Sequence, residues 1–104
     1  MPTYIILGKY TDQGIRNIKE SPQRLDAARR GVEAAGGKMP QFFLTMGRYD
    51  FVAISEGPDD EAMTRVLLAI AASGNVKTET LKAFPEADYR RIALATSGAR
   101  VRNC

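Results

Sequence analysis

The chain predicts an α+β protein of the ferredoxin-like, split βαβ kind: elements in the order β-α-β-β-α-β, with one four-stranded antiparallel sheet carrying two helices on one face. Three observations carry this. Strand-like runs rich in β-branched and aromatic residues occur at 3–10, 38–46, 49–56 and 76–84. Apolar residues recur at spacings of three and four after Ser21 and again after Pro58. Glycine-bearing breaks separate these segments in the required order.

Each element follows from its residues. TYIILGKY (3–10) is apolar at both Ile5/Leu7 and Tyr4/Ile6, the pattern of a strand covered on both faces. TDQGIRNIKE has no sustained period and reads as a connecting loop. Ser21-Pro22 reads as an N-cap with proline at the first helical position. From there Leu25, Ala28, Val32 and Ala35 make one apolar stripe, and Gly36-Gly37 stops the helix. KMPQFFLTM and YDFVAISE flank Gly47-Arg48, a pair suited to a two-residue type II′ turn, with Gly47 supplying the positive φ.

The second helix starts at Pro58 with Asp59, Asp60 and Glu61 where the helix dipole favours negative charge. It buries Met63, Val66, Leu67 and Ile70 and ends at Gly74-Asn75. VKTETLKAF alternates like a half-exposed or edge strand, and Pro85 closes it. Residues 1–85 thus read as the domain. Residues 86–104 read as a C-terminal extension, a short helix over Ala87–Ala95 and then an arginine-bearing, mobile tail.

With both helices on one side, the second apolar set of the first strand would face water in a lone chain. One of the sets Phe42/Leu44 and Phe43 would join it. So large an exposed patch is uncommon on a monomer. Two such sheets packed face to face about a two-fold axis, as a dimeric α/β barrel, bury it, so a homodimer is expected.

Composition narrows the chemistry. The 104 residues contain no histidine, which excludes Ser-His and Cys-His nucleophile pairs, histidine-ligated zinc or iron, and proximal-histidine haem. The single cysteine, Cys104, offers no disulfide framework and no multi-cysteine metal site. Neither a metal nor a cofactor is therefore expected. Residues 1–85 hold 11 basic against 10 acidic side chains and residues 86–104 hold 4 against 2, so the body is nearly neutral and nucleic-acid binding is not expected. No apolar run approaches membrane-spanning length, and the N-terminus lacks the basic region and cleavage pattern of a signal peptide. A cytoplasmic protein without membrane contact is expected.

Tyr49 and Asp50 start the third predicted strand, where alternation places Tyr49 with Phe51 and Ala53, and Asp50 with Val52 and Ile54. Two roles are open to Asp50. It accepts backbone N–H bonds from the loop around Thr11–Gly14 or from a helix end, pinning the hairpin, or it stands at a pocket mouth as a general base or ligand anchor. Tyr4, Tyr10 and Tyr49 read as core tyrosines with satisfied hydroxyls or as phenols lining a cavity. The loop bearing Thr11, Asp12, Gln13, Arg16 and Asn17 is more polar than a connection requires, and Arg16 or Arg24 suits a carboxylate or phosphate. Its other reading is a solvated loop with capping duties. The candidate ligand set is Asp50, Tyr49, Tyr10, Thr11, Asp12 and Arg16, with Gly47 as the structural turn.

YIILGKYTDQGIRNIKESPQRLDAARRGVEAAGGK, FFLTMGRYDFVAISEGPDDEAM and GNVKTETLKAF occur in that order, and the chain resembles the GYD domain family over about residues 3–85. Gly47, Tyr49 and Asp50 match the signature after which the family is named. The resemblance implies a ferredoxin-like fold similar to the dimeric α/β barrel group. It implies no reaction, so no catalytic residue is carried over. The expected function is that of a small-molecule-binding homodimer, with cofactor-independent catalysis as its sharper form. The alternative is a structural or protein-interaction module without catalytic activity.

Overall fold

In the computed structural model, which describes residues 1–96, the chain runs β1 (Thr3–Tyr10), α1 (Asp12–Arg16), a 3₁₀ turn (Ile18–Glu20), α2 (Ser21–Ala34), β2 (Lys38–Leu44), β3 (Phe51–Glu56), α3 (Asp60–Ala72), β4 (Val76–Ala83) and α4 (Glu86–Ala95). The strands make one antiparallel sheet in the order β2-β3-β1-β4. This is the expected split βαβ plan, with β1 central and β4 at an edge. The tail expected after α4, including Cys104, lies outside the described residues. Among the described residues no helix is long and apolar enough to cross a membrane.

Register sorts the side chains onto two faces. Ile5 stands between Ile54 and Leu81, and Leu7 between Val52 and Glu79, so these share one face. Phe43 joins them opposite Val52. Tyr4, Ile6, Ala53 and Ser55 point the other way and are buried. There Ile6, Val32, Met39 and Ala53 form the core cluster, with Leu25, Phe42, Val66 and Leu67 packed against it. The apolar stripes of α2 and α3 therefore close over the same side of the sheet. Fully burying such a side chain is worth about 1.5–3 kcal/mol.

The end of α2 follows its glycines. Gly36 adopts a φ of 93°, its N–H donates to the Glu33 carbonyl at 3.0 Å, and the Gly37 N–H donates to the Val32 carbonyl at 2.9 Å. This closes the last turn with glycine in the left-handed position.

Three local expectations differ from the structure. The loop read over 11–20 contains α1 and the 3₁₀ turn, because Thr11 caps this segment by accepting the Gly14 N–H at 3.1 Å. Ser21 is not the cap of α2. The 3₁₀ turn feeds directly into the helix, Ser21 becomes its first residue, and the Ser21 hydroxyl meets the Tyr10 hydroxyl at 3.2 Å instead. The hairpin loop is longer than two residues. The Thr45 N–H donates to the Asp50 carbonyl at 2.9 Å and the Thr45 hydroxyl to the Tyr49 carbonyl at 2.6 Å, so residues 46–49 form the loop and β3 starts at Phe51. Gly47 keeps the expected positive φ, at 122°.

A buried tyrosine ties β1 to α3. The Tyr4 hydroxyl donates to Asp60 Oδ1 at 2.5 Å, and Lys82 Nζ lies 3.3 Å from the same oxygen. Burial, then the Asp60 hydrogen bond, pushes the Tyr4 pKa up to about 12. The Tyr4 hydrogen bond, then that of Lys82, holds Asp60 below its ordinary 3.8. A lowered carboxylate stabilises the fold above its ordinary pKa, and this stabilisation is lost as the pH falls through the lowered value. A raised phenol stabilises below pH 10, and that part is lost as the pH rises toward 12. Tyr4→Phe is therefore expected to flatten both the acid and the alkaline limbs of stability against pH, as read by urea unfolding across about pH 3–11.

Space over β1 is equally specific. A Cβ built on Gly8 would lie 2.0 Å from Phe51 Cζ, so the Phe51 ring, itself buried, lies against the bare β1 backbone. Gly8→Ala should destabilise by about 1–3 kcal/mol through overpacking, measured as a lower urea midpoint at unchanged slope.

Candidate functional site

Asp50 is tied to the end of β1 by main chain and side chain. Its N–H donates to the Gly8 carbonyl at 2.8 Å, and its Oδ2 accepts the Tyr10 N–H at 2.9 Å. The donor is thus Tyr10 rather than the Thr11–Gly14 loop, but the arrangement is a pinned hairpin.

The polar loop after β1 is docked on the C-terminal turn of α3. The Thr11 N–H donates to the Asn75 carbonyl at 3.0 Å, and the Thr11 hydroxyl to the Gly74 carbonyl at 2.6 Å. Gln13 Nε2 reaches the Ser73 carbonyl at 3.2 Å and Asn75 Oδ1 at 3.1 Å. A Cβ on Gly14 would stand 2.1 Å from the Asn75 carbonyl oxygen, so only glycine permits this approach. Asp12 and Arg16 sit exposed in the first and last turns of α1. Arg24 bridges back to the loop, donating to the Asn17 carbonyl at 3.0 Å and the Gly14 carbonyl at 3.3 Å.

Tyr49 lies on the side of the sheet opposite the helices. Its hydroxyl donates to Glu79 at 2.7 Å, and the Lys9 ammonium stands 5.7 Å from its ring centre. The Glu79 hydrogen bond is the main cause that raises its pKa. Strand alternation pairs Tyr49 with Phe51 and Ala53. It is not so placed, because β3 begins only at Phe51 and the preceding loop follows no alternation.

The helix side of the sheet holds a cleft of about 690 Å³ between α2 and α3. Its floor is an aromatic row. Tyr10 and Phe51 have ring centres 5.6 Å apart, and Phe51 stacks on Phe42 at 5.4 Å. Tyr10, Ser21 and Arg24 supply polar groups to its lining, and Arg65 does so from α3. Of the six candidate ligand residues only Tyr10 lines this cleft. The sequence reading gives Ser21, Phe51 and Arg65 no place in a binding site. The signal available for Ser21 was its i, i+3 spacing to Arg24 on the stripe side of α2.

The GYD domain model matches residues 4–93. The chain belongs to the GYD domain family. It is 36% identical over 89 residues to a Thermus thermophilus protein named glutamine synthetase and cystathionine beta-lyase binding protein, covering 85% of this chain and 94% of that one. The crystal structure of TTHA0845, also from Thermus thermophilus, shares the fold, with a TM-score of 0.53 at 24% identity over 81% of this chain and 94% of that chain.

In this GYD domain the three signature residues divide their work. Gly47 shapes the loop, Tyr49 lies on the open sheet face, and Asp50 fastens the loop to β1. Asp50→Ala is expected to cost about 1–3 kcal/mol, because it leaves the Tyr10 N–H without its charged acceptor. Asp50→Asn, which keeps an acceptor oxygen, should cost less. Thermal or urea unfolding of both variants checks the order.

Proposed function

We infer that this GYD domain is a protein-interaction module without catalytic activity of its own, and that a metabolic enzyme is its partner. The observation that carries this reading is the 36% identity, spread over 94% of the relative, to a protein named for binding glutamine synthetase and cystathionine beta-lyase. The exposed sheet face supports self-association. Ile5, Leu7, Val52, Ile54, Phe43 and Leu81 share that face, with Phe43 at 53% and Leu81 at 45% exposure. Such an apolar surface favours association.

The first occupant of this face is a second copy of the chain. Two sheets packed face to face would give the dimeric α/β barrel expected from the sequence, and the dimer would then present its remaining surfaces to the enzyme. The cytoplasm is the compartment in which we place this binding.

The experiment is titration calorimetry of the purified protein against glutamine synthetase and cystathionine β-lyase from its own source, with light scattering on the free protein. Saturable binding to either enzyme at micromolar concentration is expected, and no heat with either overturns the partner reading. Light scattering should give a dimer that Phe43→Glu converts to monomer, since an unpaired charge inside a sheet-to-sheet interface is costly. A wild-type monomer at micromolar concentration overturns the dimer.

A further inference from the structure

We propose that the cleft between α2, α3 and the sheet binds an apolar monocarboxylate, with its hydrocarbon body on the aromatic floor and its carboxylate at Arg24. The size fits: at about 690 Å³ the cleft falls within the range that holds a small organic ligand. The floor is the row Tyr10, Phe51 and Phe42, and the walls are aliphatic, with Leu25 from α2 and Val66 and Ile70 from α3.

The charge of the lining sets the ligand class. Arg24 and Arg65 both line the cleft, and among the described residues no carboxylate does. Arg65 is paired with Glu61 on its own helix. Arg24 has no acidic partner within ion-pair distance among the described residues. Its two terminal nitrogens donate to the Asn17 and Gly14 carbonyls, which hold the guanidinium in place and leave some of its five N–H donors for a ligand. Ser21, one turn before Arg24 on α2, and Tyr10 add two hydroxyls 3.2 Å apart. A fixed guanidinium without an acidic partner, in a cleft that also presents the Ser21 and Tyr10 hydroxyls, suits a carboxylate oxygen pair, and the aromatic floor and aliphatic walls suit hydrocarbon, with Ser73, Asn75 and Thr78 as further polar lining residues.

This site is separate from the self-association face, since the cleft and the open sheet face lie on opposite sides of the sheet. Gly31 gives a sharp test. It lines the cleft from inside α2, and a Cβ added there meets nothing within 4 Å. Gly31→Leu therefore fills the cleft while improving helix propensity, so the variant is expected to fold at least as well as the parent.

The experiment is calorimetric titration of the full chain with decanoate below its micelle concentration, with 1-decanol and acetate as comparison ligands, on wild type, Arg24→Gln and Gly31→Leu. Expected are one decanoate per chain, at least about tenfold weaker binding of decanol, no measurable binding of acetate, about tenfold weaker decanoate binding in Arg24→Gln, and none in a normally melting Gly31→Leu. Absence of decanoate binding to the wild type overturns the proposal. Equal affinity for decanol, or full affinity in Arg24→Gln, overturns the carboxylate assignment. Undiminished binding in Gly31→Leu moves the ligand to the open sheet face and overturns the location. Should Arg24→Gln fail to melt cooperatively, the wild-type comparison of decanoate with decanol decides the charge.

Discussion

The hydrogen bond from the Tyr10 N–H to the Asp50 carboxylate, 2.9 Å long, joins the last residue of β1 to the hairpin on one side of it. On the other side Tyr10 pairs with Val76, the first residue of β4. β1 is thus held along both edges to its very end, and the chain leaves it in one direction only. Thr11 follows at once, bonded to Gly74 and Asn75, so the same strand end locates α1, the exit of α3 and the start of β4. The Tyr10 ring then lies beside Phe51, whose position depends on the missing side chain of Gly8. One strand terminus therefore fixes the hairpin, the helix ends and the floor of the cleft together.

This economy explains why the polar residues that look most chemical are structural. Asp50, Thr11 and Gln13 are each bonded within the fold, chiefly to main-chain groups that need partners. The protein is left with two surfaces of different character. The open sheet face is broad and apolar, suited to another polypeptide. The cleft on the helix side is concave, aromatic-floored and basic, suited to something small.

Most of the fold was legible because periodicity and glycine act locally. Leu25, Ala28 and Val32 announce a helix face whatever lies beyond it, and Gly36 and Gly47 mark positions where a positive φ is needed. The site was legible only in part. The pinning of the hairpin by Asp50 was readable as a type of contact, since a carboxylate beside a strand end needs donors, but its donor was misplaced to the Thr11–Gly14 loop, next to the Tyr10 N–H that supplies it. Alternation puts Tyr49 on the wrong face because it holds only inside a strand, and where β3 begins depends on bonds made by Thr45. In the sequence Ser21 reads as a cap because the preceding turn has no period to reveal it.

The sequence by itself determined the order of the four strands and the two helices that cover them, the helix faces, the helix stops and the surplus of apolar residues that two helices on one side cannot cover. It also determined, through the absence of histidine, which catalytic devices were closed to the protein. Only the tertiary structure decided which polar groups were already taken and that Arg24, on the cleft, has no acidic partner among the described residues. Those facts depend on contacts such as Thr11 to Gly74 and Tyr10 to Asp50, between residues 63 and 40 positions apart, and no local pattern in the chain encodes them.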